Sequence, residues 1–322
     1  MAIFNLAIKG PALHTCREGW LLPALSGEDR EGKPTMTKMI AVEKIKGKMK
    51  NSLKDKISEN IFSFYIYYAN LLLGWQIVSF IYLYQSTVPE EISVRLEKWS
   101  VFDLYVIGIG VLITILLLVI HRIFQIIPVQ FIPGSRRQMM LQNLFLVLLF
   151  FNILAIELNV HLDVLELIAF VFAVWLLLKW GAVFYNTGRA GWMHPTTHGS
   201  FSVSALLTGC SLLGIFNLVS IHSSILYDSL LVLLILDLCI VYARFKYLSN
   251  SGQETMKIAR TLMSSHILFF GARIILGIFM PAIFIVYMMI IKGAEVKGVE
   301  ILILVGTAID RFLFVNSVNN SG

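Results

Sequence analysis

The sequence predicts an all-α integral membrane protein: a bundle of about eight transmembrane helices with both termini cytoplasmic. Three observations predict it. Hydrophobic residues make up 57% of the chain and charged residues 14%, against roughly 45–50% and about 25% in soluble domains. The apolar residues gather in runs close to the ~20 residues that a helix needs to cross a hydrocarbon core. Lys and Arg recur at alternate ends of those runs, as they do in cytoplasmic loops. A membrane barrel is excluded, because the runs lack period-two alternation and are too long for barrel strands.

Residues 1–60 form a basic N-terminal region. Within it Val42, Ile45, Met49, Leu53 and Ile57 recur at helical spacing, while Lys44, Lys46, Lys48, Lys50, Lys54 and Lys56 take the other faces. Such a helix lies in the head-group layer, apolar stripe toward the acyl chains and lysines toward anionic lipid. Residues 61–314 form the membrane domain and 315–322 a short tail. The expected spans are Ile61–Tyr84, Val101–Ile120, Leu141–Ile156, Val164–Phe184, Ser202–Ile221, Ile225–Tyr242, Leu268–Ile291 and Ile301–Phe314.

One side of these spans holds the N-terminal region, Arg122, Arg136, Arg137, Arg189, Arg244, Lys246, Lys257 and Arg260; the other holds Arg95, Lys98, Lys292 and Lys297. The basic side is cytoplasmic by the positive-inside rule. Cysteines placed in the Arg136–Arg137 loop and in the Gly188–Gly191 loop are therefore expected to react with an impermeant reagent from the cytoplasmic side only. Labelling from outside would reverse the topology.

The net charge of +6 does not point to nucleic acid, since the basic residues hug the membrane boundary without an aromatic-interleaved patch. No phosphate-cradling glycine motif is present. Cys16, Cys210 and Cys239 have no metal-ligand or C-x-x-C spacing, so neither an iron–sulfur cluster nor a zinc site is expected. The first twenty residues carry no sustained apolar stretch, which argues against a cleaved secretory signal. Of seven histidines no span holds two, which disfavours bis-histidine haem and leaves a single haem on His121 with His198 or His266 as the remaining arrangement.

Polar islands carry what the sequence says about chemistry. The densest is the cassette from Phe184 to Phe201, which contains Tyr185, Arg189, Trp192, His194 and His198. Ionisable residues inside the spans are Glu166 and Lys179, Asp237, Arg273, and the pair Asp310 and Arg311. Each costs roughly 2.5–3.5 kcal/mol to insert and is a functional candidate by default. A secondary transporter would bring Arg273, Asp237 and Glu166 together as a midplane binding or proton-relay cluster. His121 closes the second span and precedes Arg122. A neutral imidazole at that boundary can bond a quinone carbonyl and accept its proton at physiological pH.

Several of these residues carry a family resemblance. Tyr185-Asn186-Thr187, Trp192, Thr197, Phe201 and the Leu207-Thr208-Gly209 run ending at Gly214 resemble the fourth-to-fifth-helix region of the dimethyl sulfoxide reductase membrane-anchor subunits. These are relatives of the NrfD and polysulfide reductase anchors. Arg311-Phe312-Leu313-Phe314 is similar to that family's closing Gly-Arg-x-x-Phe-Tyr, with Asp310 in place of the glycine and Val315 in place of the tyrosine. His121 falls where the family carries its quinol-associated histidine, although Arg122-Ile123-Phe124 replaces the usual Leu-Gly-x-Pro. Gln142-Asn143-Leu144 stands where the family has an acidic residue.

The resemblance implies an anchor without haem that holds an iron–sulfur subunit and a molybdopterin catalytic subunit to the membrane and exchanges electrons with menaquinol. His121 would be the proton acceptor, and Arg122, Tyr185, Trp192 and Arg311 would complete the quinol site. Arg122, or Arg136 and Arg137, would orient the head group or hold the iron–sulfur subunit.

Overall fold

The computed structural model describes residues 60–82, 135–157, 163–215, 223–291 and 298–319. The amphipathic helix of the N-terminal region, the span Val101–Ile120, His121 and Arg122 lie outside them. Among the described residues every regular element is helical. They are α1 (Asn60–Tyr82), α2 (Ser135–Glu157), α3 (Asp163–Tyr185), α4 (Thr196–Ile215), α5 (Ser223–Asn250), α6 (Gln253–Ser264) and α8 (Val299–Asn319), with α7 (Ile267–Ile290) between the last two. Five of them, α1, α3, α4, α5 and α7, contain stretches long and apolar enough to cross a membrane.

Helix α1 is the most enclosed, with 78% of its apolar stretch buried against 22% for α5. It can be central because its partner comes very close. A Cβ on Gly74 would overlap the carbonyl of Ala205, and one on Gly209 would overlap the carbonyl of Gly74. Small residues four apart on α4 let two backbones touch, a packing that membrane helices favour because lipid supplies no hydrophobic drive between them. Asn70 Nδ2 donates to Ser204 Oγ at 2.8 Å beside this crossing. Tyr67 donates to the Leu304 carbonyl at 3.2 Å and ties α1 to α8. Gln142, where the resembled family has an acid, accepts from Trp180 Nε1 at 3.5 Å.

Several boundaries differ from the sequence expectation. Helix α2 begins at Ser135 rather than Leu141, so Arg136 and Arg137 stand in its first turn instead of a loop, and α8 runs on to Asn319, into the expected tail. Helix α4 begins at Thr196 rather than Ser202. Pro195 precedes its first turn, where a missing N–H costs nothing, and Thr197 Oγ1 donates back to the Trp192 carbonyl at 2.7 Å. Helix α5 continues to Asn250, so Arg244 and Lys246 ride on a helix instead of a loop. Gly252, at φ 142°, then turns the chain into α6. That helix buries only Thr255, Ile258, Ala259 and Leu262, a one-sided stripe that a search for continuous apolar runs passes over.

Helix α7 is interrupted by a π-helical turn over Ile275–Phe279. Pro281 explains it: the residue lacks an N–H, and its ring crowds the carbonyl four residues back. The backbone absorbs this by widening for one turn, as membrane helices do where neighbours can re-satisfy freed groups. Gly277 in that turn faces Gly306 of α8, and a Cβ on Gly277 would meet the Gly306 Cα at 2.7 Å.

Candidate functional site

Helices α4, α5, α7 and α8 converge on a cluster of buried charges. Arg273, Arg311 and Asp237 are each 1–2% exposed and Asp310 is 13% exposed. Arg273 Nη2 pairs with Asp237 Oδ2, and its Nε lies 3.5 Å from Asp310 Oδ1. Arg311 Nη2 lies 3.1 Å from Asp310 Oδ2. It also donates to the carbonyl and the hydroxyl of Ser200, both at 2.8 Å. Asp310 thus bridges two guanidinium groups, and α4 contributes neutral acceptors to the second.

Aromatic faces complete the shell. The Arg311 guanidinium sits 4.5 Å from the ring centre of Phe201 and 5.5 Å from that of Phe314. Arg244 covers Phe314 at 4.4 Å. Ring quadrupoles stabilise a desolvated cation by about 2 kcal/mol, which offsets part of the burial cost. Among the described residues the pairing remains incomplete: Arg273 Nε and Nη1, Arg311 Nε and Nη1, and Asp310 Oδ2 have no hydrogen-bond partner. The glycine contact between α7 and α8 makes room for this arginine, since a Cβ on Gly277 would approach Arg273 Nη1 to 2.7 Å.

Next to the cluster lies a cavity of about 40 Å³ between α5, α6, α7 and α8. Arg244, Arg273 and Asp310 supply its polar wall, and Phe245, Leu262 and Phe270 are among its apolar lining. Arg244 follows Asp237 by two helical turns, so both point to the same side of α5.

The cassette seals the cluster from one side. Trp192 is fully buried and donates from Nε1 to the Phe314 carbonyl at 2.9 Å. Its ring stacks on Phe314, with centroids 5.8 Å apart and planes 13° off parallel. Phe184 meets both rings edge-on at 5.0 Å. Trp192 is therefore an internal wall, with Arg189 5.1 Å above its ring. Tyr185 faces outward at 37% exposure, its ring 5.6 Å from His198.

His194 is held by Thr196, whose N–H donates to Nδ1 at 3.2 Å, and lies 4.3 Å from the Tyr247 ring. Burial, and then the charge of Arg244, push its pKa below the ordinary value. The folded state therefore binds this proton more weakly than the unfolded chain does. Stability from His194 is fully present above the unfolded value of about 6.5 and is lost as pH falls through the lower folded value. A melting temperature that drops with acidification in this window, less steeply in His194→Asn, is the expected result. An unchanged slope in that variant would assign the acid sensitivity elsewhere.

Of the residues singled out from the sequence, Arg273 and Asp237 pair, and Arg311 joins Trp192 through Phe314. Glu166 sits in the first turn of α3, and the acids that act on Arg273 are Asp237 and Asp310. Lys179 is exposed, with its ammonium 5.7 Å from the Trp175 ring. The sequence reading missed Ser200 and Arg244. The seven-residue spacing from Asp237 was the available signal for Arg244, but it shows only if α5 is allowed to run past Tyr242. Fold and site together define a helical membrane protein with an internal ion-pair cluster sealed by an aromatic cap. Compared with family models, curated proteins and solved structures, the chain matches none.

Proposed function

We propose that the chain is the membrane-anchor subunit of a respiratory molybdopterin and iron–sulfur oxidoreductase of the dimethyl sulfoxide reductase type. In this reading it is an eight-span bundle of the cytoplasmic membrane with both termini cytoplasmic. It binds menaquinol and passes the electrons to a partner iron–sulfur subunit, which feeds the molybdopterin subunit. The observation that carries the reading is the packing of the resembling segments. They stand more than a hundred positions apart in the chain, yet Trp192 bonds to Phe314 and Arg311 to Ser200. Two separate stretches of likeness that form one packed unit support a shared architecture better than either stretch alone. In this reading His121 accepts the quinol proton with Arg122 and the outward-facing Tyr185 beside it, the buried Trp192 and Arg311 brace the wall behind the site, and the chain carries no haem of its own.

His121→Gln keeps a hydrogen-bonding side chain but removes the titrating base. Assembly survives, and quinol-dependent reduction falls by about 10²–10⁴, the usual size of a general-base contribution. Lost assembly would make His121 structural; wild-type rates in an assembled complex would end its role. Copurification of a multi-cluster iron–sulfur subunit tests the wider reading, and Arg136→Glu with Arg137→Glu weakens that complex and makes it less salt-resistant, with the loss largest at low ionic strength, where the attraction is least screened.

The convergence of Arg273, Asp237 and Asp310 beside a π-helical turn favours a second reading, a secondary transporter with a midplane ion site. A transporter moves its solute in vesicles without a partner subunit, and Asp237→Asn stops it. An anchor does neither. A Soret band in the purified protein would favour a b-type cytochrome over both.

A further inference from the structure

The geometry points to a binding site for a small monovalent inorganic anion, of halide or nitrate size, in the cavity between Arg244 and Arg273. Three arginines and two aspartates meet here, and a guanidinium does not give up its proton in a protein. Asp237 is taken by Arg273, and Asp310 is shared between Arg273 and Arg311. Arg244 is left with the face of Phe314; among the described residues no acid lies within ion-pair distance of it, and Asp310 acts on it from farther off. One positive charge is in excess, carried on the half-buried Arg244 beside the fully buried Arg273, and partial burial raises the cost of leaving it uncompensated.

Size and wall chemistry select the class. About 40 Å³ accommodates roughly three water-sized bodies at ~10–15 Å³ each. That is room for one small anion with accompanying water. Arg244 and Arg273 both line the space, so an anion there accepts from two cations; the Asp310 carboxylate on the same wall is ion-paired to Arg273 and Arg311, although among the described residues its Oδ2 accepts no hydrogen bond. The walls from Phe245, Leu262 and Phe270 cannot replace a hydration shell. Weakly hydrated anions such as bromide and nitrate are therefore preferred to fluoride. The inference is independent of the respiratory reading, since it concerns only residues inside the bundle.

The test uses the full chain in detergent, with sodium gluconate replaced stepwise by sodium bromide at constant ionic strength. Gluconate is too large for the cavity and serves as the baseline. The expected result is a saturable rise in Tm of roughly 2–4 °C, reproduced by nitrate and absent with fluoride. Arg244→Gln abolishes the rise, whereas Lys246→Gln, an exposed neighbour on the same helix, retains it. Leu248→Phe fills the cavity with every charge in place and also removes the response, which covers the case in which Arg244→Gln fails to fold. A rise that never saturates, or that persists in Leu248→Phe, would overturn the site. So would a response to phosphatidylglycerol but not to bromide, which would assign the arginines to a lipid phosphate.

Discussion

Asp237→Ala is expected to cost about 3–5 kcal/mol of stability, the range for removing one partner of a buried ion pair. The loss comes less from the missing attraction than from what is left behind. Arg273 keeps its charge, is 1% exposed, and retains only the 3.5 Å contact with Asp310. Asp237→Asn preserves the shape and one acceptor, yet should lose nearly as much, because the charge is what α5 contributes. The double variant Asp237→Leu with Arg273→Met should recover most of the stability, since apolar replacement of a whole buried pair is often neutral or better. Thermal or denaturant unfolding in detergent measures all three. A cost for Asp237→Ala of only about 0–1 kcal/mol, typical of exposed pairs, would show that the cluster is hydrated rather than buried.

Gly74→Val is expected to abolish folding or nearly so. Its Cβ would occupy the space of the Ala205 carbonyl, and a backbone atom on a packed helix cannot rotate away as a side chain can. Overpacking ordinarily costs about 1–3 kcal/mol; here α1 and α4 must separate, and the Asn70 to Ser204 bond at 2.8 Å separates with them. Two other glycines set the scale. A Cβ on Gly199 would meet the Ile240 Cδ1 at 3.3 Å, the movable end of a side chain, so Gly199→Ala should be nearly neutral. Among the described residues nothing lies within 4 Å of a Cβ on Gly271, and Gly271→Ala should stabilise α7 by up to about 1 kcal/mol through helix propensity. Accumulation of folded protein in the membrane ranks the three. If Gly74→Val accumulates like Gly271→Ala, α1 does not cross α4 at this point.

The apolar segments were legible because a hydrocarbon solvent leaves few options: a run of about 20 apolar residues has to satisfy its own backbone, and a helix does so. The charge pattern of the loops is equally local information. Boundaries were less legible where polar residues continue a helix. Thr196 to Ser200 read as loop because their side chains are hydrophilic, yet in the fold those side chains bond to Trp192 and Arg311. Helix α6 and the last two turns of α5 escaped for the same reason, since their apolar residues appear only as a stripe on one side.

By itself the sequence determined that this chain is a helical membrane protein, where most of its long helices run, and which intramembrane charges demand partners. It could not say which partners they find. Asp310 stands beside Arg311 in the chain and suggested a local pair. The fold also turns Asp310 toward Arg273 of α7, gives Arg273 a second acid from α5, and sends Arg311 to Ser200 of α4. It also lays Trp192 against Phe314 and leaves Arg244 beside a cavity with no ion-paired carboxylate of its own among the described residues. The physical reason is reach. Hydropathy and loop charge act over one helix or its ends, whereas a buried ion is neutralised across whatever helix faces it. That choice is made by backbone contacts such as Gly277 against Gly306, which no single segment encodes.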